Sequence, residues 1–348
     1  MSAVRFIASA LFSVVLLSPI GVSAQLTLPN LGTPLIFSLS PEFPTPNNSV
    51  TVTAQSFSTD LSSATISWYV NGSLLVRGVG RTSVDVATGD VGTETIVAAS
   101  IATSENTTLF DQIAIRPTSV SLLWEANSYT PPFYKGRALP SAGTIVRAEA
   151  RSVFTRPNGS SVPRDSLLYT WKKNGQVIAG SSGKGKWSMK TTAPALFGED
   201  ILSVTVESED RTLQGNALVR IPSTEPVLTL YEDSPLLGVT YYRSLSKNIS
   251  VESSETTFAL VPFFTSAETL FDRTLLYTWK IDGVTIPTDS ADPFRIILTA
   301  PEGVSGTASL DVIVEHISNF FQTGSNSWTF SVSEEAIPTS DPFRRQVN

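Results

Sequence analysis

The 348-residue sequence predicts an all-β protein of three tandem sandwich domains behind a signal peptide, on three observations. A tryptophan followed by an Asn-Gly or Asp-Gly step occurs three times: Ile66-Ser-Trp68-Tyr-Val-Asn71-Gly72, Tyr169-Thr-Trp171-Lys-Lys-Asn174-Gly175 and Tyr277-Thr-Trp279-Lys-Ile-Asp282-Gly283. The spacings, 103 residues (171 minus 68) and 108 (279 minus 171), exceed a solenoid period and suit one sandwich domain each. Period-two runs recur at Ser49–Ala54, Ile96–Ile101, Leu202–Glu207 and Ser309–Val314, without long helical stripes. The 22 prolines and 21 glycines gather between such runs, as sandwich loops require.

Each tryptophan unit has a defined parity. Ile66, Trp68 and Val70 fall on one strand face, and Tyr277, Trp279 and Ile281 repeat the pattern, so the indoles are expected to point inward. Trp68, Trp171 and Trp279 are thus the expected core residues of their domains. Asn-Gly and Asp-Gly favour the two-residue type I′ turn, because both central positions need positive φ. Each motif therefore reads as a strand entering a hairpin.

The second and third units share a further opening segment. Ser121-Leu-Leu-Trp124-Glu125 continues to Phe133-Tyr134, as Leu228-Thr-Leu-Tyr231-Glu232 continues to Tyr241-Tyr242, whereas the first unit lacks it and is shorter. Domains are expected at 34–117, 118–223 and 224–333, followed by a polar tail at 334–348. Joined end to end near Pro117 and Ser223, they are expected to share few contacts and to form an extended array.

The Trp-x-x-Asn/Asp-Gly hairpin resembles the core strand of immunoglobulin-like domains. Tyr277-Thr-Trp279-Lys-Ile-Asp282-Gly283 is also similar to the Trp-to-Asp-Gly stretch of PKD-type domains, one residue short. The pattern covers most of residues 34 to 333, but the motif itself is about seven residues long. Two departures stand out: the cysteine pair of antibody-type domains is missing, and no tyrosine corner follows Asp90-Val-Gly92. The chain resembles cysteine-free bacterial members, and more loosely exported repeat proteins of small-genome bacteria. The resemblance implies adhesion, surface display or spacing, and no chemistry of its own.

Composition points the same way. Arg5 precedes an apolar stretch from Phe6 to Val22, and Val22-Ser23-Ala24 precedes Gln25, which reads as a secretory signal peptide cleaved after Ala24. The stretch is diluted by Ser9, Ser13, Ser18, Pro19 and Gly21, and no later run approaches the length of a membrane span. The expected location is secreted or cell-surface associated, with no transmembrane segment in the mature chain. A cysteine count of zero removes disulfide scaffolds, thiolate metal sites and cysteine nucleophiles, and in an exported chain suggests a bacterial source. Sequons begin at Asn47, Asn71, Asn106, Asn158 and Asn248, and matter only in a eukaryotic host. The formal charge of −7 becomes −8 when Arg5 leaves with the signal, arguing against nucleic acid as a partner.

Candidate chemistry is sparse. His316, the one histidine, lies in Val314-Glu-His-Ile-Ser318 with no Gly-x-Ser-x-Gly elbow in the chain, and reads as an ordinary strand or loop residue. Gly180-Ser-Ser-Gly-Lys-Gly-Lys186 nearly spells a phosphate loop but lacks the final hydroxyl residue and is followed by strand-like alternation, so it reads as a hairpin loop. Acidic clusters at Glu207-Ser-Glu209-Asp210, Glu232-Asp233 and Asp289-Ser-Ala-Asp292 match no calcium-loop spacing and read as solvated. Phe263-Phe264 and Phe320-Phe321 place one ring on each side of a strand, leaving one of each pair for contact.

The sharpest anomaly is basic. Lys172, Lys173, Lys184, Lys186 and Lys190 fall within nineteen residues free of acids. With Trp187 stacking on a sugar ring they would form a cationic face for an acidic glycan or protein. Alternatively they belong to an edge strand whose lysines discourage edge-to-edge pairing, with Trp187 and Met189 turned to the core. The sequence thus reads as a non-enzymatic exported protein, structural, adhesive or accessory to envelope assembly. The alternative is a soluble glycan- or protein-binding module acting through this lysine face. No metal, cofactor or catalytic residue is implied, and the expected partner is a protein or polysaccharide at the cell surface.

Overall fold

The computed structural model describes residues 35–57, 59–103, 108–251, 255–299 and 305–332. The expected signal peptide, the polar tail and the sequon at Asn106 lie outside the described residues.

In the first unit the strands are β1 (Ile36–Ser40), β2 (Ser49–Gln55), β3 (Thr65–Val70), β4 (Ser73–Val79), β5 (Ser83–Ala87), β6 (Thr95–Ala102) and β7 (Thr108–Ile115). They form a three-stranded sheet β1-β2-β5 facing a four-stranded sheet β4-β3-β6-β7. The period-two patterning does this: in β2, Val50, Val52 and Ala54 are buried while Ser49 and Gln55 are exposed.

Strands of the second unit are β8 (Ser119–Ala126), β9 (Ile145–Val153), β10 (Leu168–Lys173), β11 (Gln176–Val177), β12 (Gly183–Lys184), β13 (Ser188–Thr192), β14 (Glu199–Glu207) and β15 (Gln214–Pro222). Sheet β13-β9-β8 faces sheet β11-β10-β14-β15, with β12 also pairing β10. Third come β16 (Val227–Ser234), β17 (Gly238–Ser244), β18 (Asn248–Val251), β19 (Glu255–Phe263), β20 (Leu275–Ile281), β21 (Val284–Ile286), β22 (Arg295–Thr299), β23 (Gly306–His316) and β24 (Asn319–Val332). Here β17-β16-β19-β22 faces β18-β24-β23-β20-β21. The β18–β24 pairing is parallel; the other strand pairs are antiparallel within the described residues. Two sheets of sequential hairpins and crossovers packed face to face, three times over, are tandem sandwiches of immunoglobulin-like type.

A shared device anchors each core. Trp68, Trp171 and Trp279 are fully buried, and each indole N–H donates to a main-chain carbonyl 13 to 15 residues on: Arg81 at 2.8 Å, Lys186 at 2.7 Å and Pro293 at 2.9 Å. The following turn residue clamps the next long strand at two points. Asn71 donates its main-chain N–H to the Ile96 carbonyl at 2.8 Å and accepts from the Ile96 N–H on Oδ1 at 2.9 Å. Asn174 does the same with Ile201, and Asp282 with Ser309. The turns take positive φ at both positions, 50° and 81° at Asn71-Gly72, which the Asn/Asp-Gly step permits.

The second and third units meet through more than a linker, which corrects the expectation of few contacts at the junction near Ser223. The 127–144 connection between β8 and β9 reaches the third unit, where Tyr129 exchanges main-chain bonds with Thr265 and Phe264 at 2.8 Å. Ser141 Oγ donates to the Phe264 carbonyl at 2.7 Å, and Asn319 Nδ2 to the Ala142 carbonyl at 2.7 Å. At the centre Gln322, 1% exposed, donates from Nε2 to Ala142 O at 2.9 Å and Ser266 Oγ at 2.8 Å, and accepts from the Ser266 N–H at 2.9 Å. A buried amide so fully matched fixes orientation, because every misaligned arrangement leaves it unsatisfied.

Candidate functional site

The lysine stretch is dispersed by the strands that carry it. On β10, Lys173 shares the inward parity of Trp171; its Nζ pairs with Asp200 at 2.8 Å and donates to the Thr192 carbonyl at 2.9 Å, tying the two sheets at one end. Lys172 lies on the opposite face of that strand, half-buried, and Lys184 pairs with Glu209. Lys186 and Lys190 are exposed, Lys190 on the edge strand β13 beside Arg147 of β9. The edge-strand description thus applies to Lys190, whereas β10 is an interior strand. Trp187 is half-buried against the core, and the Arg164 guanidinium covers its ring at 3.9 Å, so that face already has a partner. Met189 is buried. A shallow concavity of about 700 Å³ lies over Leu123, Arg147, Glu149 and Lys190, a face of mixed charge.

The remaining candidates are occupied locally. His316 Nδ1 faces the N–H and hydroxyl of Ser318, both at 3.3 Å, in the hairpin between β23 and β24. Nearby Asp272 is engaged by the Thr274 N–H at 3.0 Å and hydroxyl at 2.8 Å, bonds that hold its carboxyl below the ordinary value of 3.8. The glycine-rich stretch holds a 3₁₀ turn, Ala179–Ser181, then β12 and β13, and among the described residues there is no α-helix to present an N-terminus to it. Among the acids, Glu209 is paired with Lys184, Asp233 with Arg295 at 2.6 Å, and Asp292 with Arg295 at 3.1 Å. Asp210 accepts from the Ser208 hydroxyl at 2.6 Å and the Thr212 hydroxyl at 2.9 Å, which lowers its pKa to about 2. Among the described residues no group of three such side chains is placed to hold a metal ion, and no helix is long and apolar enough to cross a membrane.

The feature sequence reasoning missed lies at the second junction. Phe133-Tyr134 and Tyr241-Tyr242, matched as equivalent segments of successive units, instead line one groove of about 700 Å³ together with Tyr231 and Phe263. Pro131-Pro132 takes the first pair out of a strand into a loop, where Phe133 adopts φ 66°, while Tyr241 and Tyr242 stay on β17. Phe133 is 92% and Tyr242 82% exposed. Burial raises the pKa of Tyr231, Tyr241 and Tyr129, the last also bonded to Tyr241, so all three are neutral phenols. The Phe320-Phe321 pair differs from expectation: both rings are exposed, on a stretch of β24 between Asn319 and Thr323 where the β23–β24 register shifts and neither residue has a partner in that pairing.

No family model and no curated protein matches the chain. Similar solved structures include the fibronectin(III)-like modules of Clostridium thermocellum CbhA, 12% identical over 54% of this chain and 95% of that one, TM-score 0.26. The central fibronectin-III array of RIM-binding protein is 13% identical over 86% of this chain and 93% of that one, TM-score 0.28. Bacteroides ovatus SGBP-B, in complex with a mixed-linkage heptasaccharide, is 13% identical over 86% and 70%, TM-score 0.19. Such scores leave any functional reading to this chain's own residues.

Proposed function

We propose that the chain is a non-enzymatic exported protein, structural or adhesive, whose three immunoglobulin-like domains divide near Pro117 and Ser223 and hold a partner at the cell surface. The supporting observation is the buried Gln322 clasp, since a fixed domain arrangement serves a load-bearing or surface-presenting chain and is superfluous in a flexible tether. The polar groups that resemble catalytic ones are engaged in turns and ion pairs, which fits a scaffold. Binding through the lysine face of the second domain rests on Lys186, Lys190 and the half-buried Lys172, because Lys173 and Lys184 are already paired.

Fractionation of cells producing the full chain tests this reading. A mature polypeptide starting at Gln25 is expected outside the cell, and beads coated with residues 25–348 are expected to bind those cells. Intact Met1 in the cytosol, or beads that ignore the cells, overturns it.

A further inference from the structure

We infer that the aromatic groove at the second junction is a binding site for a neutral oligosaccharide, with Tyr242 and Phe133 as its stacking platforms. The groove, about 700 Å³, falls within the size range of small-ligand clefts. A protein partner would instead need a face of about 800 Å² per side.

Chemistry selects among small ligands. A pyranose offers an apolar C–H face rimmed by hydroxyls, and it is matched by exposed flat rings interleaved with groups that both donate and accept hydrogen bonds. Phe133 and Tyr242 are the most exposed rings and Tyr134 adds a partly exposed phenol, while Tyr231 is buried and the Tyr241 phenol is bonded to Tyr129. Among the described residues Lys135 is the one charge lining the groove and no carboxylate does, so the lining has neither the cluster of cations a polyanion calls for nor an anion to pair with a cationic ligand. A lipid tail would favour a lining without polar groups, whereas four tyrosines line this groove.

The platform is preorganised, which lowers the entropic cost of binding. Tyr134 packs edge-on against Phe263 at 5.7 Å and Phe264 at 6.1 Å, and Tyr241 against Tyr231 at 5.7 Å. Gly136 is part of the design: a Cβ there would lie 2.4 Å from the Tyr134 hydroxyl, so any larger residue displaces that ring. Because the groove joins the 127–144 loop to β17, the Gln322 clasp also holds its two walls in register.

The test uses residues 25–348 against arrayed cello-, laminari-, manno-, xylo- and chito-oligosaccharides, with calorimetry on whatever binds. At least one neutral series is expected to bind, and raising salt from about 0.1 M to about 1 M should leave the affinity unchanged. Tyr242→Ala and Phe133→Ala, at exposed positions that leave melting unaltered, are each expected to weaken binding roughly tenfold. Gly136→Ala should weaken it also, whereas Lys186→Ala with Lys190→Ala should not. Absence of binding to every series, binding indifferent to Tyr242→Ala and Phe133→Ala, or selective capture of a proline-rich peptide by the groove would each overturn the assignment. Export and cell binding are measured separately, so failure here is distinguishable from failure of the structural reading.

Discussion

Trp171 and Lys186 are joined by a hydrogen bond from the indole N–H to the main-chain carbonyl at 2.7 Å, and the same bond ties Trp68 to Arg81 and Trp279 to Pro293. The bond stitches the central strand of one sheet to the segment that leads into the opposing sheet. In the second unit that segment is the glycine-rich stretch, so the backbone of Lys186 is structural whatever its side chain does.

Replacing Trp171 by Ala is accordingly expected to destabilise the second unit by about 3 to 5 kcal/mol, through lost burial and the cavity left behind. Trp171→Phe keeps much of the apolar volume but orphans the Lys186 carbonyl, at a cost of about 1 to 3 kcal/mol. Chemical denaturation followed by the fluorescence of the other tryptophans measures both. Unchanged melting of the second unit in Trp171→Ala would mean that the motif does not anchor this core.

The repeat was legible because every position in Trp-x-x-Asn/Asp-Gly answers a local demand: a large inward side chain with one donor, then two positive-φ residues, the first carrying an acceptor. The junction was not. Gln322, Ser141 and Ser266 are isolated polar residues in a hydroxyl-rich sequence, and Gln322 meets its partner Ala142 across 180 positions, which no local period encodes. The groove was missed for a related reason. Phe133-Tyr134 and Tyr241-Tyr242 look alike as text, but Pro131-Pro132 sends one pair out of the sheet to meet the other.

The five lysines separate by environment rather than by sequence distance. Lys173→Ala would strand Asp200, whose side chain is 10% exposed, without its cation, and is expected to destabilise the second unit by about 1 to 3 kcal/mol. Lys186→Ala and Lys190→Ala, at exposed positions, should stay within about 0.5 kcal/mol of the parent. Thermal melts of the three variants decide this, and equal effects would show that Lys173 has no structural task.

Asp210 supplies a pH-dependent test of a turn. Its carboxylate gathers the Ser208 and Thr212 hydroxyls and the Thr212 N–H, so the charged form is the one the folded chain favours, and its pKa is lowered to about 2. The turn's contribution is therefore complete above the ordinary value of 3.8 and is lost as pH falls toward about 2. An NMR titration of the Asp210 carboxyl and the Thr212 amide should show both moving with a midpoint of about 2. A midpoint at the ordinary value would mean these bonds do not persist in solution.

Gln322 offers the most direct test of coupling between the second and third units. Substituting Leu keeps the side chain buried but leaves the Ser266 N–H without its acceptor, at a cost of about 1 to 3 kcal/mol, whereas the Ser266 hydroxyl keeps Thr144 Oγ1 at 2.9 Å and the Ala142 carbonyl keeps Asn319 Nδ2 at 2.7 Å. The penalty falls on the junction rather than on either core, because Gln322 lies among Ala142, Thr144 and Ser266 and away from Trp171 and Trp279. Calorimetry of the parent is expected to show the two units unfolding together. In Gln322→Leu the transition should split, with the radius of gyration rising in small-angle scattering as the units swing independently. Phe320→Ala, two residues earlier on β24 at an exposed position, serves as the control and should leave both readouts where they were. If Gln322→Leu also leaves a single transition and an unchanged radius, the orientation of the units is set by their apolar contacts and the polar clasp merely fills the space between them.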